Sequence, residues 1–196
     1  MYSGIHPLTD KDYQLVQQET KNINKYPVYY VDTPGTVEEI KNTILVFNEM
    51  YCKEKWLLVT LDHTLLTKGL ATEKERETLF NLQRAFIELK KINKTTILQL
   101  SQLNREIEET SRLTTPSLHF PQRKDVFGGD SVYQASDYVI VLHRPEILGL
   151  KGYGPNHWPV EDMIYMHLLK VREGEPKILS FVNNLKFNSI EESITN

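Results

Sequence analysis

Residues 95–109 read TTILQLSQLNREIEE, an apolar run that passes abruptly into hydrogen-bonding and charged side chains. The first part is the pattern of a buried β-strand, and Ser101, Gln102, Asn104 and Arg105 stand where such a strand leaves the core. The flanking sequence decides what kind of sheet holds it. Immediately upstream, Leu79, Leu82, Phe86 and Leu89 recur at helical spacing, and Thr72 with Glu75 supplies a start signal for that helix. Before it lies KWLLVTLD at 55–62, a second apolar strand closed by an acid. Before that, Thr36 with Glu39 forms a capping box ahead of Ile40, Ile44, Phe47 and Tyr51. YPVYYVD at 26–32 reads as a further strand, and Thr9 with Asp12 caps a helix running to about Ile23.

Strands of continuous apolar character alternating with helices predict a parallel sheet covered on both faces by right-handed crossovers. The fold class expected is therefore α/β. The alternation lapses at 110–134 into Pro, Gly, Ser and charge, a stretch too long for an ordinary connection. DYVIVLHR at 137–144 restores a strand, and residues 162–187 read as two strands around a Glu-Gly-Glu-Pro turn, a terminal hairpin.

With 196 residues, 40% of them hydrophobic and 25% charged, the chain has the makings of one globular domain. A net charge of −3 excludes a generic basic coat, so contact with nucleic acid would have to come from a local patch or a pore shared by several subunits. The single cysteine, Cys52, allows no disulfide framework and no CxxC pair. No apolar stretch approaches bilayer length, and MYSGIHPLTD lacks the regions of a signal peptide. A cytoplasmic protein without membrane contact is expected.

In open parallel sheets, ligands bind outside the carboxyl ends of the strands. Asp62 closes one strand in the manner of a Walker B acid, whose carboxylate holds Mg²⁺ while the metal bridges nucleotide phosphates. An Asp there also serves as a helix cap or a turn residue. Gln102 stands where the next strand surfaces, able to donate to a γ-phosphate or an attacking water; such amides also satisfy backbone groups at strand-to-loop junctions. The histidines His63, His119, His143, His157 and His167 show no metal-ligand spacing and read as packing or surface residues.

Four stretches, in order, carry a family resemblance. LSQLNREIE is similar to the sensor segment of DnaB-type replicative helicases, the RecA-fold hexameric motors of bacteria and their phages. LLVTLDHTLL resembles their Walker B strand, DVFGGDSVYQASDYVIVLHR their DNA-binding loop with its following helix and strand, and LLKVREGEP their terminal Lys-x-Arg hairpin. The resemblance runs from about Pro27 onward. It implies a three-layer RecA-type sheet, ATP and Mg²⁺ as cofactors, single-stranded DNA as partner, and a hexameric ring in a bacterial or phage-infected cell. Carried over residue by residue, it makes Asp62 the Mg²⁺ acid and Gln102 the γ-phosphate sensor, with Ser101 and Arg105 beside the nucleotide. Lys170 and Arg172 become a basic pair offered to the neighbouring subunit's nucleotide. Arg123, Lys124, Phe127, Gly128, Gly129 and Asp130 become the DNA-binding loop, with Phe127 where the family commonly has Arg.

Two parts of the family's machinery are absent from these residues. No GxxxxGK[ST] occurs: TPGTVEE, FGGDSVY and LKGYGPN all lack the Lys-Ser/Thr end. The catalytic glutamate of the family also lies upstream of anything recognisable here. The expectation is a partial RecA-like domain over 1–196 that is inactive in ATP hydrolysis alone and is completed by a P-loop-containing polypeptide. The alternatives are a recombinase-type RecA-like ATPase and a non-catalytic adaptor that binds DNA or a helicase.

Overall fold

The structure, a computed structural model, describes residues 8–33, 35–64, 67–69, 74–92 and 94–193. They fall into two compact units, Met1–Thr33 and Pro34–Asn196.

The first unit holds α1 (Asp10–Ile23). Its capping box forms as expected: the Asp12 carboxylate accepts from the Thr9 backbone N–H at 2.8 Å, and the Thr9 hydroxyl accepts from the Asp12 N–H at 3.3 Å. These bonds to Thr9, the hydroxyl's first, hold the Asp12 carboxyl below its ordinary value. Residues 26–32, expected as a strand, belong to no ladder. A strand exists only against a partner, and the described residues of this unit offer a helix and no second strand.

In the second unit, α2 (Val37–Phe47) starts at the predicted Thr36–Glu39 box and runs into a π-helical turn at Asn48–Cys52. β1 (Leu57–Leu61), α3 (Glu75–Ile92) and β2 (Thr95–Gln99) follow. Thr72, the expected cap of α3, lies outside the described residues. β1 and β2 pair in parallel, with Leu57 opposite Thr95 and Leu61 opposite Gln99. One face of this pair is sealed by both helices: Ile44, Leu82, Phe86 and Leu89 are buried against Leu57, Val59, Leu61 and Ile97. Burying four such side chains contributes roughly 1.5–3 kcal/mol apiece. The other face leaves Leu58, Leu98 and Leu100 exposed.

β3 (Tyr138–His143), β4 (Met163–Val171), β5 (Lys177–Asn184) and β6 (Ser189–Glu192) form an antiparallel sheet in that order. β3 alternates cleanly: Val139, Val141 and His143 are buried, while Tyr138, Ile140 and Leu142 are exposed. The α/β class with parallel strands and carboxyl-terminal antiparallel strands is thus present, although among the described residues the parallel ladder holds two strands. The stretch 110–134 is less loop-like than its composition: it contains α4 (Thr110–Thr114), two short 3₁₀ turns at Pro116–Leu118 and Arg123–Asp125, and α5 (Gly129–Ala135).

Candidate functional site

The parallel register fixes which groups meet at the strand ends. Leu61 faces Gln99, and the Leu100 N–H donates to the Leu61 carbonyl at 2.9 Å, so Asp62 and residues 100–102 leave the same end of neighbouring strands. Asp62 is exposed and forms no ion pair with the described residues. The Gln102 side chain is exposed as well. Behind them sits a network that the sequence reading missed. Thr64, 2% exposed, donates to the Leu100 carbonyl through both its N–H (3.1 Å) and its hydroxyl (2.8 Å). The Gln99 amide donates to that hydroxyl at 3.1 Å, and the Gln83 amide of α3 donates to the Gln99 oxygen at 2.9 Å. This network ties the turn after Asp62 to β2 and to α3. Its signal was a glutamine, Gln99, inside an otherwise apolar strand.

Beyond Gln102 the chain zips onto the stretch expected to bind DNA. Phe127 N–H donates to the Gln102 carbonyl at 3.1 Å, Asn104 N–H to the Asp125 carbonyl at 2.7 Å, and the Asn104 side-chain amide to the Lys124 carbonyl at 2.8 Å. Leu103 and Val126 bridge between these bonds, and the Ser101 hydroxyl approaches the Phe127 carbonyl at 3.5 Å. From inside, the loop is held by Arg112, which is 5% exposed and pairs with the fully buried Asp125 at 2.5 Å. The same guanidinium donates to the carbonyls of Leu118 and Phe120, and the second Asp125 oxygen accepts from Gln122 N–H at 2.7 Å. A buried pair persists only when its remaining donors and acceptors are satisfied in this way.

Outside, Arg123 pairs with Asp130 at 2.7 Å and lies over the Tyr133 ring, and Lys124 approaches Glu106 at 3.8 Å. Phe127 is half-buried. Gly128 caps α5 with φ +85°, and a Cβ there would stand 2.7 Å from Val132 Cγ2; Gly129, at φ +55°, faces open space. Both conformations suit glycine. Arg105 is exposed on a 3₁₀ turn.

Lys170 and Arg172 sit at the far end of β4, and both are engaged within the chain. Lys170 donates to the carbonyls of Tyr133 (2.7 Å) and Gln134 (3.1 Å) at the end of α5, where a cation complements the unsatisfied helix carbonyls. Arg172 pairs with Asp137 at 2.5 Å. Asp137 also binds Lys90 of α3, whose ammonium holds its carboxyl below the ordinary range. Thus Asp62, Ser101 and Gln102 share one strand end, Arg123 through Asp130 is hydrogen-bonded to that segment, and Lys170 with Arg172 belongs to a separate cluster at the start of β3.

A further buried cluster lies under the antiparallel sheet. Tyr153, with no exposure, places its hydroxyl 2.6 Å from both His143 Nδ1 and His167 Nε2. One hydroxyl proton serves one of these nitrogens, so the other imidazole donates to the phenol oxygen. Burial drives both imidazoles down to about 4, and pushes the Tyr153 phenol well above its ordinary value. Among the described residues no group of three or more His, Cys, Asp or Glu could hold a metal ion, and no helix is long and apolar enough to cross a membrane.

Comparison with known proteins gives a consistent answer. Residues 2–192 match the family model described as DnaB-like helicase C terminal domain. The chain is 28% identical over 141 residues to the replicative DNA helicase DnaB of Mycobacterium leprae (strain TN), a match covering 71% of this chain and 22% of that protein. Its fold is similar to a solved structure whose title describes an ATPase domain, with a TM-score of 0.77 at 14% identity over 97% of this chain and 63% of that one. It is also similar to a DnaB-like replicative helicase whose structure was solved to describe its interactions with primase, with a TM-score of 0.73 at 15% identity over 93% of this chain and 42% of that one. The three-dimensional likeness is thus to RecA-like ATPase domains of this kind, and this chain spans about a fifth of the curated relative.

Proposed function

The chain belongs to the DnaB-like helicase C terminal domain family, and from that premise we propose that it is the carboxyl-terminal part of an ATP-driven replicative helicase that translocates on single-stranded DNA and unwinds duplex. One observation carries the reading: the parallel pairing of β1 with β2 brings Asp62 and Gln102 out at one end of adjoining strands. Asp62 fits a Mg²⁺ role, because its carboxylate is exposed and unpaired among the described residues and Mg²⁺ takes one or two carboxylates with water and phosphate rather than a protein cage. Bound Mg²⁺ with ATP supplies charge neutralisation across the β- and γ-phosphate oxygens. Gln102, with its amide exposed and its carbonyl bonded to Phe127, donates toward the γ-phosphate and passes its displacement to the loop. Ser101 and Arg105 stand beside the nucleotide. Lys170 and Arg172 act on the nucleotide of an adjacent protomer in a hexameric ring, Arg172 by exchanging Asp137 for phosphate. That exchange costs little, since an exposed pair is worth about 0–1 kcal/mol.

Arg123 and Lys124 meet the single-stranded backbone in the same fashion, leaving Asp130 and Glu106, while the Gly128–Gly129 backbone permits close approach and Phe127 offers a ring to a base. The phosphate-binding loop and the catalytic glutamate come from sequence outside these residues, and we assign them to a P-loop-containing polypeptide in the cytoplasm of a bacterial or phage-infected cell. The test is ATP turnover: the purified chain alone shows negligible hydrolysis, adding the P-loop polypeptide restores it, and Asp62→Ala removes the restored activity. Robust turnover by the chain alone, lost in Asp62→Ala, overturns the split arrangement.

The uncovered apolar residues Leu58, Leu98, Leu100, Ile140 and Leu142 support the need for a covering partner. The isolated chain is expected to self-associate with rising concentration in sedimentation velocity, and Leu98→Lys with Leu142→Lys to reduce that association. A well-folded monomer at all concentrations counts against a missing partner. A second reading, a non-catalytic adaptor binding DNA or a helicase, draws support from the internal engagement of Lys170 and Arg172 and from the lack of a P-loop motif. It predicts binding by this chain alone that ATP leaves unchanged.

A further inference from the structure

Between Gln102 and the basic pair Arg123–Lys124 lies a single side chain that touches both segments. Asn104 follows Gln102 by two residues, and its side-chain amide donates to the Lys124 carbonyl at 2.8 Å while its own N–H donates to the Asp125 carbonyl at 2.7 Å. The residues it grips are immobile on their inner side, because the Asp125 side chain is fully buried and locked to Arg112 and to the Gln122 N–H. They are free on their outer side, where Arg123 and Lys124 hold surface acids in partly exposed pairs. A displacement of the Gln102 segment therefore reaches Lys124 through the short antiparallel contact formed by Asn104, the Leu103–Val126 bridge and the Phe127–Gln102 bond.

We propose that Asn104 is a positioning residue that sets the placement of the Arg123–Lys124 pair on single-stranded DNA from the state of the Gln102 segment. The inference rests on the DNA-loop reading above and adds to it the residue through which the two segments are joined. Asn104 touches neither nucleotide nor DNA. It acts by fixing the Lys124 and Asp125 carbonyls, and so the direction in which the Lys124 side chain leaves the backbone. A mere filler of backbone hydrogen-bonding groups would contribute stability without altering which cations reach phosphate.

The experiment is fluorescence anisotropy of a labelled oligo-dT on the full chain across a salt series, with hydrogen exchange of the same variants. Asn104→Ala is expected to weaken binding several-fold. Its log–log salt slope should flatten by about 0.7, the contribution of one phosphate contact on a single strand. Lys124→Ala should do the same, and the double variant should be no worse than either single, since both remove one contact. Asn104→Asp, which keeps the shape and lacks the donor, should behave as the alanine variant does, and it serves as the test if Asn104→Ala does not fold. Unchanged slope in both Asn104 variants, or losses that add to that of Lys124→Ala, overturns the proposal. If the wild-type chain fails to bind oligo-dT at any salt, the DNA-loop reading fails, and the positioning role is then judged by exchange alone. In that case, Asn104→Asp must speed exchange of the Phe127 amide by about tenfold or more while leaving α3 protected; unchanged Phe127 exchange sinks it.

Discussion

Acidification from about pH 6.5 to about pH 4 is expected to remove several kcal/mol of stability from the chain, and His143 and His167 are the reason. Both are held neutral by burial, with values near 4 in the folded protein against an ordinary 6.5. The folded value lies below the unfolded one, so above 6.5 neither state binds the proton and the network contributes in full. Between 6.5 and 4 the unfolded chain takes up protons that the folded chain refuses, and stability falls with the pH. At about 1.4 kcal/mol per pH unit, each imidazole withdraws roughly 3 kcal/mol across that window, against a total of about 5–15 kcal/mol for a typical domain. Protonation also breaks the hydrogen-bond logic, because the Tyr153 oxygen then faces two donors and its own proton has no acceptor. The positive Arg112 and the neighbouring His119 add to the burial effect on His143, and Asp125 opposes it. Urea denaturation at intervals of pH gives the curve. In His143→Gln/His167→Gln, which keeps a donor and an acceptor without titrating, the slope between 6.5 and 4 should largely vanish. A curve that keeps its full slope in the double variant assigns the loss to carboxylates instead.

Local chemistry was the most legible part of this sequence. The two capping boxes at Thr9–Asp12 and Thr36–Glu39 form as their spacing dictates, because a cap is decided within four residues. The two apolar runs at 57–61 and 95–99 became neighbouring parallel strands, since a helix with one apolar face connects them and can pack only on their common side. YPVYYVD failed as a strand for the opposite reason: its β-branched and aromatic residues favour extension, but pairing depends on what lies beside it. Composition also misleads over 110–134. Charge in such a stretch reads as solvated, yet Arg112 and Asp125, thirteen residues apart, are both buried, and nothing in either's immediate neighbourhood announces the other. The convergence of Asp62 with the Gln102 segment was readable as a strand-end rule; the Thr64–Gln99–Gln83 network that fixes it was not, because each member is polar in a segment judged by its apolar neighbours.

Replacing Arg112 by methionine is expected to cost about 3–5 kcal/mol, among the largest effects any single side chain in this molecule can have. The loss is not that of one ion pair. The Asp125 carboxylate stays fully buried with the Gln122 N–H as its remaining partner, and the carbonyls of Leu118 and Phe120 lose their donors together. An uncompensated charge in such a place is worse than no charge, so Arg112→Met/Asp125→Leu should recover part of the loss despite carrying two substitutions. Recovery stays incomplete because the two carbonyls remain unpaired. Denaturant midpoints of the two singles and the double measure this directly. A single variant within about 1 kcal/mol of wild type means that the loop relaxes and water reaches Asp125. In that event residues 118–125 are not a rigid support, and Arg123 and Lys124 stand on a segment that cannot hold them in register with Gln102. A large loss with partial rescue instead makes the buried pair the anchor from which the exposed cations of the same loop are presented.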